Sequence, residues 1–224
     1  MRIIVPLPLE ADSIDDYHWD RGVIPPMVDT NVLAGRKIRE SDMPSEQVWC
    51  SFFDIEEVLN RMLINSQVVD AADFACGYGT FTIPAAQRIQ GVMYAIDIDP
   101  EMIRIVNEKL QKPKLTNVRA INKDLLTDGS GLDDDSVGYV MIFNILHLED
   151  PLILLREAFR VLKRGGRVGI INWLRDPNTP RGPPLEMRPT MEQCINWCLQ
   201  AGFPAGLNTS VDLKPYHFGL LMRK

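Results

Sequence analysis

VVDAADFACGYGTFT, residues 68–82, is a short apolar run that passes through a glycine-rich turn into the start of an amphipathic segment. The run up to Phe74 predicts a buried strand, and the residues from Thr80 onward predict a helix. Gly77 and Gly79 lie in the turn between them, where glycine permits positive φ and close approach of a ligand to the main chain. Backbone N–H groups at the start of a helix bind anionic or strongly polar groups. The turn is therefore a candidate ligand-binding loop.

After this turn the sequence alternates between strand-like and helix-like segments as far as Trp173. Strands that are apolar on both faces and alternate with helices predict a parallel sheet covered on both sides. The predicted strands are 92–98, 117–122, 136–146 and 167–173, and the predicted helices are 100–110, 151–163 and 191–200. Two strand-like runs near the end of the chain, 207–213 and 216–222, predict a hairpin. The fold class is therefore α/β.

Acidic and amide side chains stand near the ends of the predicted strands. Asp97 comes 97 − 77 = 20 residues after the first glycine of the turn, the spacing at which an acidic side chain meets ribose hydroxyls in nucleotide-binding βαβ units. Asp124 follows the next strand, and Asn144 follows the one after. The carboxyl ends of strands in open α/β folds form the ligand crevice. Thr82 replaces the third glycine of a dinucleotide fingerprint, which disfavours an NAD-dependent oxidoreductase.

Several of these segments carry a resemblance to a known family. In order and spacing, the sequence resembles the class I, Rossmann-like S-adenosylmethionine-dependent methyltransferases through VVDAADFACGYGT, VMYAIDIDPEM, NKDLL, DDDSVGYVMIFNILHLEDP and LREAFRVLKRGGRVGIINW. The resemblance extends over residues 66–222. It implies a mostly parallel seven-stranded sheet with helices on both faces and an antiparallel last strand. It also implies S-adenosylmethionine as the cofactor.

The resemblance further implies which residues surround that cofactor. They are Asp73, Ala75, Gly77 and Gly79 for the methionine part, Asp97 for the ribose, Ile98, Met102, Asp124 and Leu125 for the adenine, and Asn144 beneath the sulfonium. Two positions depart from the family pattern, since Ala75 replaces a glycine and Arg164 stands where proline is usual. A Cβ at Ala75 lies where the backbone approaches the cofactor, so we expect weaker binding but not its loss.

The implied activity is in-line transfer of a methyl group from the sulfonium to a small-molecule acceptor. Orientation of the reactants can supply about 7–11 kcal/mol of such a barrier, so a base is needed only if the accepting atom carries a tightly held proton. His147 is the candidate base, and a packing or capping role is the alternative. Tyr216 and His217 are candidate substrate contacts, with packing within an aromatic strand as the alternative.

Residues 1–65 lack this alternation and predict an N-terminal helical extension, or lid, to a methyltransferase domain at residues 66–224. A single amphipathic helix is expected to begin at Pro44 and Ser45, with apolar positions at Val48, Phe52, Ile55 and Leu59. Arg36 and Arg39 suggest a lid suited to an anionic substrate, and a solvated helix face is the alternative.

The loop RDPNTPRGPP, residues 175–184, is rich in proline and follows the last parallel strand. Proline and glycine at this density exclude a helix or a strand and predict an ordered surface loop. Long loops at the end of a strand often border a functional site. We therefore expect residues 175–184 to form an ordered surface loop that borders a site.

Composition narrows the function further. The 24 Lys and Arg residues against 30 Asp and Glu residues give a net charge of −6, which disfavours nucleic acid as a partner. No apolar run approaches the ~18 residues of a membrane span, and Pro6 and Pro8 interrupt the N-terminus, so a cytoplasmic protein is expected. Four unevenly spaced cysteines predict reduced thiols rather than disulfides or a metal site, and Cys194 and Cys198 are expected to pack on a buried helix face.

Two other functions stay open at this point. A cofactor-binding domain that has lost catalysis and serves as a regulatory or partner subunit is suggested only by Ala75. A nicotinamide oxidoreductase is the less favoured possibility because of Thr82.

Overall fold

A seven-stranded sheet forms the centre of the computed structural model, which describes residues 44–111 and 115–224. Its strands are β1 (Ala71–Phe74), β2 (Met93–Asp97), β3 (Val118–Asn122), β4 (Val137–Phe143), β5 (Leu162–Trp173), β6 (Asn208–Leu213) and β7 (His217–Arg223). The order across the sheet is β3-β2-β1-β4-β5-β7-β6. Strands β1 to β5 are parallel, whereas β7 runs antiparallel to β5 and forms a hairpin with β6. The predicted sheet and its antiparallel last strand are confirmed.

Helices cover both faces of the sheet, as predicted. They are α1 (Glu46–Cys50), α2 (Ile55–Arg61), α3 (Thr82–Ala86), α4 (Pro100–Gln111), α5 (Pro151–Val161) and α6 (Met191–Ala201), with a 3-10 turn at Leu185–Met187. Successive strand residues point to opposite faces. Val140 and Ile142 of β4 pack with α5 and α6, while Met141 and Phe143 pack with α2 and α3. The sheet is therefore buried on both sides.

The strand order places the functional edge of the sheet. Strand β1 pairs with β2 on one side and with β4 on the other, so the chain changes direction across the sheet between β1 and β4. A crevice opens at the carboxyl ends of the strands at such a switch point. The glycine turn leaves β1 at this point, and the segments after β2 to β5 emerge along the same edge.

The expected single helix before the sheet is wrong, because the structure has two short helices, α1 and α2, in that segment. Residues 51–54 separate them, and the Asp54 side chain accepts a hydrogen bond from the backbone N–H of Glu57 at 3.0 Å. An aspartate that caps a new helix start favours a break in the preceding one. The expected apolar face holds only in part, since Leu59 is buried against the sheet whereas Val48 is exposed and Trp49 is buried in its place.

The outcomes for the remaining expectations about organisation are simple. Residues 44–65 fall in the same compact unit as the sheet, and a domain division at residue 65 stays a prediction. Arg36 and Arg39 lie outside the described residues, and their role in a lid stays a prediction. Cys194 and Cys198 are buried on α6 as predicted, and burial raises the pKa of each thiol to about 12. In residues 44–111 and 115–224, no helix is long and apolar enough to span a bilayer.

Candidate cofactor and acceptor site

The glycine turn is hydrogen-bonded to the end of the neighbouring strand. The backbone N–H of Gly77 donates to Oδ2 of Asp97 at 2.8 Å, and the backbone N–H of Asp99 donates to Oδ1 at 2.9 Å. Asp97 is 5 % exposed. Burial raises the pKa of its carboxyl, and the backbone hydrogen bonds oppose that rise. The turn and the acid are therefore joined by hydrogen bonds, and the carboxylate, with about four acceptor positions, keeps acceptor capacity for a ligand.

A second buried acid lies beneath the turn. Thr82 Oγ1 donates a hydrogen bond to Oδ2 of Asp73 at 2.6 Å, and Asp73 is 4 % exposed. Burial, and to a lesser extent the charge of Asp97, raise the pKa of Asp73 to about 7, while the Thr82 hydrogen bond lowers it. A cationic group placed here favours the ionised carboxylate. In the sequence, Thr82 is visible only as a departure from the third glycine of a dinucleotide fingerprint, and no local pattern indicates its hydrogen bond to Asp73.

The backbone adopts positive φ at three positions of the glycine turn and at Asn144, which follows β4. Gly77 and Gly79 have φ of 51° and 72°, and the non-glycine residues Ala75 and Asn144 have φ of 61° and 58°. This conformation costs an alanine roughly 1–2 kcal/mol, and such strain concentrates at functional sites. A Cβ added at Gly79 would lie 3.0 Å from Cγ2 of Val106, so this glycine is required by both conformation and space.

The side chain of Asn144 is an orphaned polar group at the end of β4. Its backbone N–H donates to the carbonyl of Ile171 at 2.7 Å, which ties the residue to β5. Both amide atoms, Oδ1 and Nδ2, are buried and have no hydrogen-bond partner among the described residues. An unsatisfied buried amide costs on the order of 1–3 kcal/mol, and its persistence indicates a missing partner such as a ligand.

The residues expected around an adenine lie on the segments that follow β2 and β3, which are neighbouring strands. Ile98 is 36 % exposed, whereas Met102 and Leu125 are each 7 % exposed. Asp124 accepts a hydrogen bond from the backbone N–H of Leu126 at 2.9 Å. Apolar side chains with a carboxylate acceptor nearby are of the types that line purine sites.

A cluster of aromatic rings extends from the glycine turn to the hairpin, and we call it the aromatic cluster. Its members are Phe52, Phe53, Phe81, Phe143, Trp173, Tyr216 and His217. The His217 ring lies 4.5 Å from Phe53 and 4.2 Å from Trp173, measured between ring centroids. Phe53 also contacts Phe81, which follows the glycine turn. The aromatic cluster therefore extends from Phe81, just after the glycine turn, to Trp173 at the end of β5.

His217 is the polar member of this cluster. It is 2 % exposed, and its Nε2 is buried without a partner among the described residues. Burial, together with the nearby charge of Arg188, lowers the pKa of His217 to about 3, so the imidazole is neutral. The structure thus shows the aromatic packing considered for Tyr216 and His217. The substrate role stays a prediction.

His147 lies on the same post-β4 segment as Asn144, three residues further along. Burial lowers the pKa of its imidazole to about 4. The ring is therefore neutral at physiological pH and can accept a proton, but it is a weak base.

The first helix is tied to the glycine turn by contacts that sequence analysis missed. The hydroxyl of Tyr78 donates to the carbonyl of Pro44 at 3.0 Å. Lys109 Nζ donates to the carbonyl of Tyr78 at 2.7 Å and pairs with Glu46 on α1. These pairs are separated by more than 30 residues, so no local pattern indicates them.

The sheet order, the strained turn and the acid at the end of β2 are features of Rossmann-like domains, a class that binds nucleoside cofactors at the switch point of the sheet. Comparisons with known proteins identify the class more narrowly. Residues 71–166 match the model of the family described as "Methyltransferase domain". The crystal structure of an S-adenosylmethionine-dependent methyltransferase from Aquifex aeolicus is similar, with a TM-score of 0.69 and 27 % identity, over 81 % of this chain and 93 % of that one.

Two curated relatives carry the name demethylmenaquinone methyltransferase. The protein from Geobacillus sp. (strain WCH70) is 28 % identical over 116 residues, which are 50 % of this chain and 48 % of the relative. The protein from Listeria welshimeri is 32 % identical over 111 residues, which are 48 % of this chain and 46 % of the relative. The chain spans about half the length of the curated relatives it matches.

Residues 71–166 match the methyltransferase-domain family, and the fold is shared with S-adenosylmethionine-dependent methyltransferases of the class I, Rossmann-like kind, whose cofactor is S-adenosylmethionine. The resemblance seen in the sequence is confirmed. A nicotinamide oxidoreductase is not favoured. The roles of individual residues toward cofactor and substrate stay predictions.

Proposed function

We propose that this protein transfers the methyl group of S-adenosylmethionine to a small-molecule acceptor at the carboxyl edge of its sheet. The observation that carries the proposal is the hydrogen bond from Gly77 to Asp97, because it sets a carboxylate for ribose hydroxyls beside the glycine turn at the switch point. The match to the methyltransferase-domain family supports the reaction class. A non-catalytic role was suggested only by Ala75, and the comparisons do not favour it.

The residues at the edge fit the cofactor by their chemistry. Asp97 has free lone pairs for a diol, and Asp73 is a buried acid whose charged form an ammonium group would stabilise. The orphaned amide of Asn144 would gain a polar partner. In the proposal, Asp73, Ala75, Gly77 and Gly79 hold the methionine part, Asp97 the ribose, Ile98, Met102, Asp124 and Leu125 the adenine, and Asn144 closes the site below the sulfonium.

When bound, the cofactor supplies an electrophilic methyl group on a sulfonium. The chain contributes mainly orientation and exclusion of water, since in-line displacement depends on alignment. Asp97 and the glycine turn orient the nucleoside. His147 is the proposed proton acceptor, through a ring nitrogen that is unprotonated at neutral pH because its pKa is about 4. A base this weak suits an acceptor whose proton is released as the new bond forms.

The acceptor is proposed to be a hydroxylated aromatic compound. The curated relatives are named for demethylmenaquinone, which is a quinone. The half-buried rings of Phe52 and Tyr216 supply aromatic surface beside the buried Trp173 and His217, and Nε2 of His217, which has no partner among the described residues, can hydrogen-bond to a hydroxyl group that reaches it. Tyr216 is proposed as a further contact, and Arg36 and Arg39 as the lid. A cytoplasmic location is also part of the proposal, supported by cysteines that are free in the described residues.

Two measurements, made one after the other, test the proposed function. Calorimetry with S-adenosylhomocysteine and with NAD should show binding of the first only, and binding of NAD alone would overturn the proposal. Turnover with S-adenosylmethionine carrying a labelled methyl group should then be measured on a short-chain demethylmenaquinol, a catechol and a simple amine. Labelling of the demethylmenaquinol or catechol supports the acceptor class. Labelling of the amine alone would contradict it.

A further inference from the structure

The segment after β5, residues 174–188, is an irregular loop organised by one buried guanidinium. Arg188 is 5 % exposed and stands at the end of the loop. Its Nε donates to the carbonyl of Pro183 at 2.7 Å, and its Nη2 donates to that of Arg181 at 3.1 Å. Its Nη1 donates to the carbonyl of Leu174 at 2.9 Å. The same Nη1 also reaches the carbonyl of Asp176 at 3.3 Å and the hydroxyl of Thr179.

These bonds solvate the charged guanidinium without an ion pair. In residues 44–111 and 115–224, no carboxylate forms a salt bridge with Arg188. The nearest acid that acts on its charge, Asp176, uses its carboxylate to accept two hydrogen bonds from Asn178, at 2.8 and 2.9 Å. A buried charge is tolerated only with such bonding. The planar fork of arginine can hold carbonyls in several directions at once, which lysine cannot.

The guanidinium also contacts the aromatic cluster. Its central carbon lies 5.8 Å from the centroid of the Trp173 ring, within the range of a cation–π interaction. At Gly182, a Cβ would lie 2.9 Å from Cδ2 of Trp173 and 3.1 Å from Nη2 of Arg188, so the loop backbone packs directly on both groups. Trp173 in turn contacts His217. Arg188 therefore connects the whole loop to the acceptor side of the edge.

We propose that Arg188 is a positioning residue for methyl transfer: by holding residues 174–188 against Trp173, it shapes the wall of the acceptor subsite. This inference rests on the proposed function, because it assumes that the aromatic cluster receives the acceptor. Arg188 acts through the loop and Trp173 and does not touch the reacting atoms. Loss of the Arg188 guanidinium should therefore make residues 174–188 more mobile, while the proposed cofactor contacts at the ends of β1 and β2 stay intact.

The test compares Arg188→Met and Arg188→Lys with Arg181→Met in the full chain. Arg181 lies in the same loop with an exposed side chain, and only its carbonyl takes part in the network. The first readout needs no acceptor: amide hydrogen exchange of residues 174–187 in the complex with S-adenosylhomocysteine. We expect exchange there to be at least about 10-fold faster in Arg188→Met, intermediate in Arg188→Lys and unchanged in Arg181→Met.

The second readout separates positioning from a general structural role. With the acceptor that the wild type methylates, we expect KM for the acceptor to rise about 10-fold or more in Arg188→Met. The dissociation constant of S-adenosylhomocysteine should stay within about twofold. Unchanged exchange in the loop would overturn the proposal even if no acceptor is found. Equal losses in cofactor affinity, kcat and thermal midpoint would also overturn it, because they indicate global destabilisation.

The proposal and the proposed function fail in different ways. If wild-type protein does not bind S-adenosylhomocysteine, the proposed function fails, and the exchange experiment on the free protein still decides whether Arg188 organises the loop. If the wild type binds S-adenosylhomocysteine and methylates an acceptor while KM for that acceptor is unchanged in Arg188→Met, only the proposed positioning role of Arg188 is lost.

Discussion

The backbone N–H of Gly77 lies 2.8 Å from Oδ2 of Asp97, although the two residues are 20 positions apart in the chain. The carboxylate therefore holds the glycine turn to the end of β2. Because β1 and β2 are adjacent parallel strands, the bond closes the βαβ unit at its carboxyl edge. Any change at Asp97 should affect the turn and the ligand together.

Asp97→Asn should weaken binding of S-adenosylhomocysteine by about 10- to 100-fold, because hydrogen bonds to a charged group are worth roughly 1.5–3 kcal/mol each. Calorimetry measures the dissociation constant. Asp128→Asn, an exposed acid on the loop after β3, is the matched control and should bind like wild type. Wild-type affinity in Asp97→Asn would contradict the assignment of this carboxylate to the ribose.

Ala75→Gly should increase cofactor affinity and raise stability by about 0.5–1 kcal/mol. Glycine avoids the roughly 1–2 kcal/mol cost of φ 61° at alanine, and the greater entropy of the unfolded chain offsets part of this gain. Urea unfolding and calorimetry give the two quantities. Leu63→Gly is the control, since Leu63 has φ 58° but lies before the sheet; it should relieve strain without changing affinity. Weaker cofactor binding in Ala75→Gly would show that the side-chain methyl of Ala75 contributes favourably to cofactor affinity.

Asp73→Asn should flatten part of the pH dependence of stability. Burial raises the pKa of this carboxyl to about 7, from about 3.8 in the unfolded chain. Between these values the folded state binds more protons, so the free energy of unfolding contributed by Asp73 falls as pH rises. From pH 5 to 7.5 the wild type should lose about 2–3 kcal/mol relative to Asp73→Asn.

Urea denaturation at the two pH values measures this difference, with the exposed-site variant Asp128→Asn as reference. That reference should follow the wild type at both pH values. Parallel changes in wild type and Asp73→Asn would mean that the carboxyl is ionised in the folded protein throughout the range.

His147→Asn should lower kcat by about 10-fold or more without changing the affinity for S-adenosylhomocysteine, if the imidazole accepts the acceptor's proton. Because the pKa of His147 is about 4, its titration should cause no change of the wild-type kcat near pH 6.5. The rate should therefore be independent of this residue's titration between pH 6 and 8. Glu149→Gln, an exposed neighbour in the same segment, controls for disturbance of the loop. Equal kcat in both variants would leave His147 with a packing role.

The glycine turn and its acid were more predictable from sequence than the aromatic cluster and the loop that packs on it. Gly77, Gly79 and Asp97 could be found because they follow a short, recurring spacing within one βαβ unit. Phe53 and Trp173 could not, because each is an ordinary apolar residue whose partners lie far along the chain. The same holds for Arg188, whose many acceptors become neighbours only when the proline-rich loop folds around it.

The order of strands and helices, the glycine turn and the acid that follows it were determined by the sequence alone, since periodicity and spacing act over a few residues. Tertiary structure alone decided the break between α1 and α2, the orphaned amide of Asn144 and the strongly shifted pKa values of Asp73 and His217. Burial and long-range contact are properties of the whole packed chain. A carboxyl or an imidazole therefore acquires its chemistry only when distant segments exclude water from it.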